Sequence, residues 1–108
     1  MSAKWPPPPD LESIQQLVRE ADIEGHLAEG APQDEYEPEE EEIFAALAPR
    51  ATEELTAAQT LPVLAAVWRN SFSLSGAEMA ERAGKLEGLA GQIERFFGPG
   101  ARPQVRGI

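Results

Sequence analysis

Apolar residues recur at intervals of three and four along most of this chain, between breaks made by proline and glycine. The clearest run follows Ser75-Gly76-Ala77-Glu78, a capping box in which a hydroxyl and a carboxylate satisfy free backbone amides. Gly98 and Pro99 end that run. Its apolar positions are Met79, Ala83, Leu86, Leu89, Ala90, Ile93, Phe96 and Phe97. Because no segment alternates between apolar and polar residues, we predict an all-α fold, a small bundle of four or five helices.

Caps and prolines predict the first two helices. Asp10 is a favourable N-cap for a helix over residues 10–21. Glu37-Pro38 begins a second helix, since proline suits the first turn, and Pro49 ends it. The predicted buried stripe of this second helix consists of Ile43, Phe44 and Leu47, with Tyr36 just before it.

A third helical region is predicted to begin at Thr52. Pro62 is expected to interrupt it, because proline removes a backbone hydrogen bond and clashes with the preceding turn. Thr60 then caps a new helix over residues 61–71, which is apolar on most sides and is the most buried helix of the prediction. A single helix kinked at Pro62 is the alternative.

These elements divide the chain into three parts. Residues 1–9 are a Pro-rich tail, residues 10–98 a single helical domain, and residues 99–108 a short mobile C-terminal tail. Residues 22–34 form a loop, attached to the core by Ile23 and Leu27. Gly84 and Gly88 share one face of the last helix, and we expect another helix to approach them closely.

The distribution of charge is the feature most informative about function. The formal net charge is −10, and between Glu20 and Pro49 there are eleven acidic residues and no Lys or Arg. A segment of this kind repels phosphates and anionic lipids, so we expect neither nucleic-acid nor membrane binding. It complements a basic protein surface. The alternative is a solvated acidic face that keeps a small protein in solution.

The residue types present leave little room for catalysis. The chain has no cysteine, which excludes disulfides and thiolate metal sites. Its one histidine, His26, excludes metal sites that need several histidines. The adjacent glutamates lack the spacing of a calcium loop, and they point in different directions around a helix. We therefore expect a protein that is not an enzyme and that uses no metal or cofactor. Without a signal-peptide pattern or a long apolar run, it is expected in the cytoplasm.

Two stretches resemble a family of small acidic bacterial proteins. They are Ala21-Asp22-Ile23-Glu24-Gly25 and Gly30-Ala31-Pro32-Gln33-Asp34-Glu35-Tyr36-Glu37-Pro38-Glu39, followed by Ile43 and Leu47. The family signature has tryptophan and proline where this chain has Ala21 and Ile23. The closing stretch of the predicted last helix, residues 89–98, is also similar to that family's last helix.

The resemblance implies a small helical protein similar to the immunity proteins that neutralise bacterial toxins. Together with the charge pattern, it predicts that the acidic segment covers a basic surface of a cognate toxin, with a nuclease as one candidate. The predicted partner-binding residues are Asp22, Glu24, Asp34, Glu35, Tyr36, Glu37, Glu39, Glu40, Glu41 and Glu42. The alternative function is a helical adaptor or a homodimer, formed through the Gly84–Gly88 face with Met79, Leu86 and Phe96.

Overall fold

The computed structural model of this chain describes residues 7–101, which contain four α-helices, one 3-10 turn and no β-strand. The helices are α1 (Leu11–Ala21), α2 (Glu37–Leu47), α3 (Ala57–Phe72) and α4 (Gly76–Phe97), and the 3-10 turn is Thr52–Glu54. The prediction of an all-α bundle is confirmed, in its four-helix form. The predictions for most of the N-terminal tail and of the C-terminal tail, residues 1–6 and 102–108, lie outside the described residues.

Three helices, α1, α3 and α4, begin at an N-cap residue whose side chain accepts from a backbone amide three residues later. The Asp10 carboxylate accepts from the Ser13 amide at 2.9 Å, and the Ser75 hydroxyl accepts from the Glu78 amide at 3.1 Å. Glu78 in turn accepts from the Ser75 amide at 2.9 Å, which completes the predicted capping box. Each cap fixes where the apolar stripe of its helix meets the core.

Each helix packs on its neighbours in the chain, and α4 closes back on α1. Residues 22–36, between α1 and α2, lie at the same end as residues 73–75, between α3 and α4. Glu24 shows this directly, because its carboxylate bonds both Trp68 near the end of α3 and Arg82 near the start of α4. We call this the loop end of the bundle. The end of α4 lies beside the start of α3, where the Glu94 carboxylate accepts from the Ala57 amide at 2.7 Å.

The core is one continuous cluster that all four helices share. Its largest fully buried apolar side chains are Trp68, Tyr36, Ile14, Ile43, Leu47, Leu55, Leu64, Leu86, Leu89, Ile93 and Val18. Burial of Ile43 and Leu47 agrees with the stripe predicted for α2, whereas Phe44 is only half-buried. Ile23 joins the core, and Leu27 packs against it from the loop, as predicted.

The predicted interruption at Pro62 is wrong. Helix α3 runs unbroken through Pro62 from an N-cap at Thr56, whose hydroxyl accepts from the Gln59 amide at 3.2 Å. Pro62 is exposed, and so is Ala58, the residue whose carbonyl loses its helical partner. Water can therefore bond that carbonyl, which lowers the cost of the proline. Thr60 is not a cap: it is buried inside the helix, and its hydroxyl donates to the Thr56 carbonyl at 3.0 Å.

The close approach expected at Gly84 and Gly88 is also absent from the part of the chain that the structure describes. Both glycines are exposed, and a Cβ built on either of them would have no atom within 4 Å. Gly91, one turn further on, is equally open. Within residues 7–101, packing of another helix therefore does not account for these three glycines.

Candidate functional site

Asp22 connects the end of α1 to the acidic loop. It is the C-cap residue, in the left-handed conformation with φ 43° and ψ 56°. Its carboxylate accepts from the amides of Leu27 and Ala28 at 3.1 and 2.9 Å and from the Tyr36 hydroxyl at 2.7 Å. Burial alone raises the pKa of Asp22, but the hydrogen bonds from Tyr36 and the two amides outweigh it, so the pKa is lowered. Asp22 is therefore an internal acceptor that shapes the loop.

Glu24 attaches the same loop to the other half of the bundle. Its carboxylate accepts from Nε1 of Trp68 at 2.7 Å and from Nε and Nη2 of Arg82 at 2.6 and 2.9 Å. The hydrogen bonds from Arg82 lower the pKa of Glu24 against the opposing effect of burial, and Trp68 adds to the lowering. With its side chain 8% exposed and three donors bound, this carboxylate holds α3 and α4 to the loop.

Tyr36 lies between these two attachments, fully buried at the start of α2. Its hydroxyl donates to Asp22 and accepts from the His26 amide at 3.2 Å. Its ring stacks on His26 with centroids 5.7 Å apart and contacts Trp68 at 5.6 Å. Burial, together with the bond to Asp22, raises the pKa of the tyrosine hydroxyl, which remains a neutral donor.

Glu40 is an enclosed carboxylate. Its side chain is 0% exposed, and Arg19 of α1 binds it through two nitrogens at 3.0 and 3.2 Å. Burial raises the pKa of Glu40 more than Arg19 lowers it. Asp22, Glu24, Tyr36 and Glu40 are thus used inside the fold, and we call them the anchoring residues. In this conformation they are not available to a partner.

The other predicted acids are at the surface. Asp34, Glu37, Glu41 and Glu42 are exposed, and the Glu35 side chain is 37% exposed, with Nδ1 of His26 at 3.1 Å. Asp34 and Glu37 lie within electrostatic range of Arg19, since both contribute to raising its pKa. We call Asp34, Glu35, Glu37, Glu41 and Glu42 the exposed acids. The last predicted residue, Glu39, is 8% exposed and belongs to neither group.

The cations and donors that hold the anchoring residues were not predicted from the sequence. Arg19, Trp68 and Arg82 lie 21, 44 and 58 positions from the acids that they bind. Of these three residues, only Arg19 could have been suspected from the sequence. It lies in the last turn of the amphipathic helix α1, and the acidic segment follows directly after it in the chain. The positions of Trp68 and Arg82 depend on how the helices pack.

Metal-binding geometry is absent from the described residues: between 7 and 101, no three His, Asp or Glu side chains are placed to hold an ion. In the same part of the chain, no helix combines the length and the apolar character that a membrane crossing requires. A surface groove between α1 and α4 is lined by Leu17, Ala21, Lys85 and Gly88 among others.

Comparisons with protein-family models, curated proteins and solved structures gave no match to this chain. The residues that carry the resemblance nevertheless have structural roles here. Asp22 and Tyr36 bond each other, and Gly25 has φ +76°, which glycine adopts without strain. The matching positions therefore explain the conformation of this loop.

Proposed function

We propose that this protein is a non-enzymatic, cytoplasmic binding protein of the immunity type, which neutralises a cognate bacterial toxin by covering a basic surface. A nuclease is the simplest candidate toxin, because its phosphate-binding cleft is cationic and carboxylates can occupy the positions of phosphates. The proposal requires no cofactor and no metal.

One observation carries the proposal: the acidic segment is divided into residues that fix it and residues that face outward. Asp22 and Glu24 tie the loop to the end of α1, to Tyr36 at the start of α2, and to α3 and α4, while Glu40 ties α2 to α1. A surface held in this way loses little conformational entropy when it binds, so its charges contribute more fully to affinity. A merely solubilising acidic face has no need of such anchoring.

The position of the exposed acids also suits a protein partner. They lie in the loop between α1 and α2 and in the first half of α2, and no Lys or Arg interrupts residues 20–49. A field of one sign accelerates encounter with an oppositely charged partner and excludes anionic competitors. Binding by this surface should weaken as salt is added.

The proposal is tested by capture of the partner with a matched pair of charge variants. The protein is immobilised through its C-terminus, exposed to lysate of its native host, and washed at increasing KCl. The test variant replaces four exposed acids by their amides, at Asp34, Glu37, Glu41 and Glu42. The control variant makes the same charge change at four other exposed acids, Glu12, Glu53, Glu81 and Glu87.

We expect a basic protein that the native chain and the control retain, that the test variant releases at lower salt, and whose toxic or nuclease activity the native chain inhibits. Equal retention by both variants, or capture of a protein whose activity is unaffected, contradicts the proposal. Circular dichroism of all three proteins verifies that the helices are intact.

The open face of α4 supports a second candidate function, a homodimer or adaptor. Gly84, Gly88 and Gly91 are exposed at helical spacing, and each lowers helix stability by roughly 1 kcal/mol relative to alanine. A close helix–helix contact with another molecule would explain that cost. Of the other residues predicted for this interface, Met79 and Phe96 are half-buried, whereas Leu86 is inside the core.

Sedimentation equilibrium separates this candidate from the first. A homodimer through this face predicts a concentration-dependent mass, which Gly88→Ala abolishes by adding a methyl group at the contact. A monomer at millimolar concentration, with or without the substitution, contradicts it.

A further inference from the structure

Glu39 is unlike every other acid of the loop end. The residue is 8% exposed, and its side chain makes no hydrogen bond or ion pair with any residue between 7 and 101. Its neighbour Glu40 is buried and paired with Arg19, and Glu24 is paired with Arg82. Acidic residues are seldom this enclosed unless they are paired, and within the described residues the fold gives the charge of Glu39 no partner.

The carboxylate of Glu39 nevertheless reaches the surface. Among the described side chains, no nitrogen or oxygen is both fully enclosed and without a hydrogen-bond partner. The small exposed fraction of Glu39 therefore includes its carboxylate oxygens, and the aliphatic stem is the buried part. A stem held by packing has already lost most of its rotamer freedom, whereas the exposed Glu41 must lose that freedom on binding.

Helix geometry places Glu39 beside a second carboxylate. Tyr36, Glu40, Ile43 and Leu47 are the fully buried row of α2, and Glu40 lies on its α1 side, where it meets Arg19. At 100° per residue, Glu39 lies on the other side of this row, the side of α3. Glu42 follows three residues later on the same face and is exposed.

We propose that Glu39, with Glu42 beside it, is the attachment point for one arginine or lysine side chain of the basic protein partner. This inference rests on the proposed function and specifies where in the acidic surface the partner is held. Charge complementarity selects this occupant, since residues 20–49 contain no Lys or Arg of their own that could pair with Glu39. An acid whose stem is ordered before binding loses less conformational entropy when it pairs with a cation.

The inference predicts opposite effects on stability and on binding. The charge of Glu39 acts unfavourably on the neighbouring Glu40 carboxylate. Glu39→Gln removes that repulsion at almost constant volume, so we expect the melting temperature of the free protein to rise by a few degrees. The same substitution should weaken binding of a cationic ligand. A purely structural role for Glu39 predicts no gain in stability and no selective loss of binding.

The test uses hexa-arginine as the probe, with calorimetry at low salt and the full-length protein. Glu41→Gln is the matched control, because it makes the same charge change two residues away on the same helix. We expect Glu39→Gln to reduce affinity about tenfold, as for a charged hydrogen bond, and Glu41→Gln about twofold, as for an exposed charge. Amide chemical shifts should locate the peptide at the start of α2.

Equal losses from the two substitutions overturn the inference but leave the proposed function standing, since a diffuse acidic field would then bind the probe. Failure of hexa-arginine to bind the native chain at low salt overturns both. A calcium titration that shifts the Glu39 resonances more strongly than the peptide does also overturns the inference, because the occupant would then be a metal ion.

Discussion

Replacement of Tyr36 by phenylalanine tests whether the acidic loop is held from within. The substitution keeps the buried ring and removes only the hydroxyl, which donates to Asp22 at 2.7 Å and accepts from the His26 amide at 3.2 Å. Loss of a hydrogen bond to a charged group costs about 1.5–3 kcal/mol, and a part-buried amide left unpaired costs about 1 kcal/mol more. We therefore expect a loss of about 3 kcal/mol.

Urea unfolding followed by circular dichroism measures this change. For a domain of this size, the loss corresponds to a fall of about 10–20 °C in melting temperature. A double-mutant cycle with Asp22→Asn isolates the contact, and a coupling energy above about 1 kcal/mol is expected. A change of less than about 0.5 kcal/mol in the single variant, or additive effects in the cycle, would refute the view that Asp22 and Tyr36 organise the loop.

Four further changes test other parts of the account. Gly98→Ala should destabilise by about 1–3 kcal/mol, because its Cβ would lie 2.8–2.9 Å from two backbone carbonyls, whereas Gly100→Ala, with nothing within 4 Å, serves as the control. Pro62→Ala should stabilise by about 1–3 kcal/mol, since it restores a helical hydrogen bond at an exposed site. Gly84→Ala should stabilise by about 1 kcal/mol in a monomer. Glu24→Gln should make the loss of stability between about pH 5 and pH 3 shallower, because the pKa of Glu24 is lowered in the folded state and its contribution disappears as it becomes protonated.

Urea denaturation measures the first three changes, and denaturation at a series of pH values measures the fourth. Equal stabilities for the Gly98 and Gly100 variants would show that the helix end tolerates a methyl group. A destabilising Pro62→Ala would mean that the proline contributes something beyond its missing amide. If the free energy of unfolding of Glu24→Gln fell between about pH 5 and pH 3 as steeply as that of the native chain, the pairing with Arg82 would not favour the ionised carboxylate.

Features encoded within one helical turn were predictable. The Asp10 cap and the Ser75–Glu78 capping box depend on residues three positions apart, and both form as expected. The course of α3 was not predictable in the same way, because the cost of Pro62 depends on whether the unpaired carbonyl faces water. That exposure is a property of the packed bundle.

The charge of the candidate site was predictable from the sequence, but the separation into anchoring residues and exposed acids was not. Composition alone identifies residues 20–49 as acidic. Whether a given glutamate is enclosed depends on a donor that is remote in sequence, as Arg82 is from Glu24 and Arg19 is from Glu40. Glu39 and Glu41 look equivalent in the run of four glutamates that follows Pro38, and only helix phase separates them.

Hydrogen exchange of the complex with the captured partner tests the central claim most directly. The account predicts that binding slows exchange at the backbone amides of residues 26–42, and that the face of α4 around Gly84 exchanges as in the free protein. Protection confined to α4, with the exposed acids still exchanging as in the free chain, would contradict it.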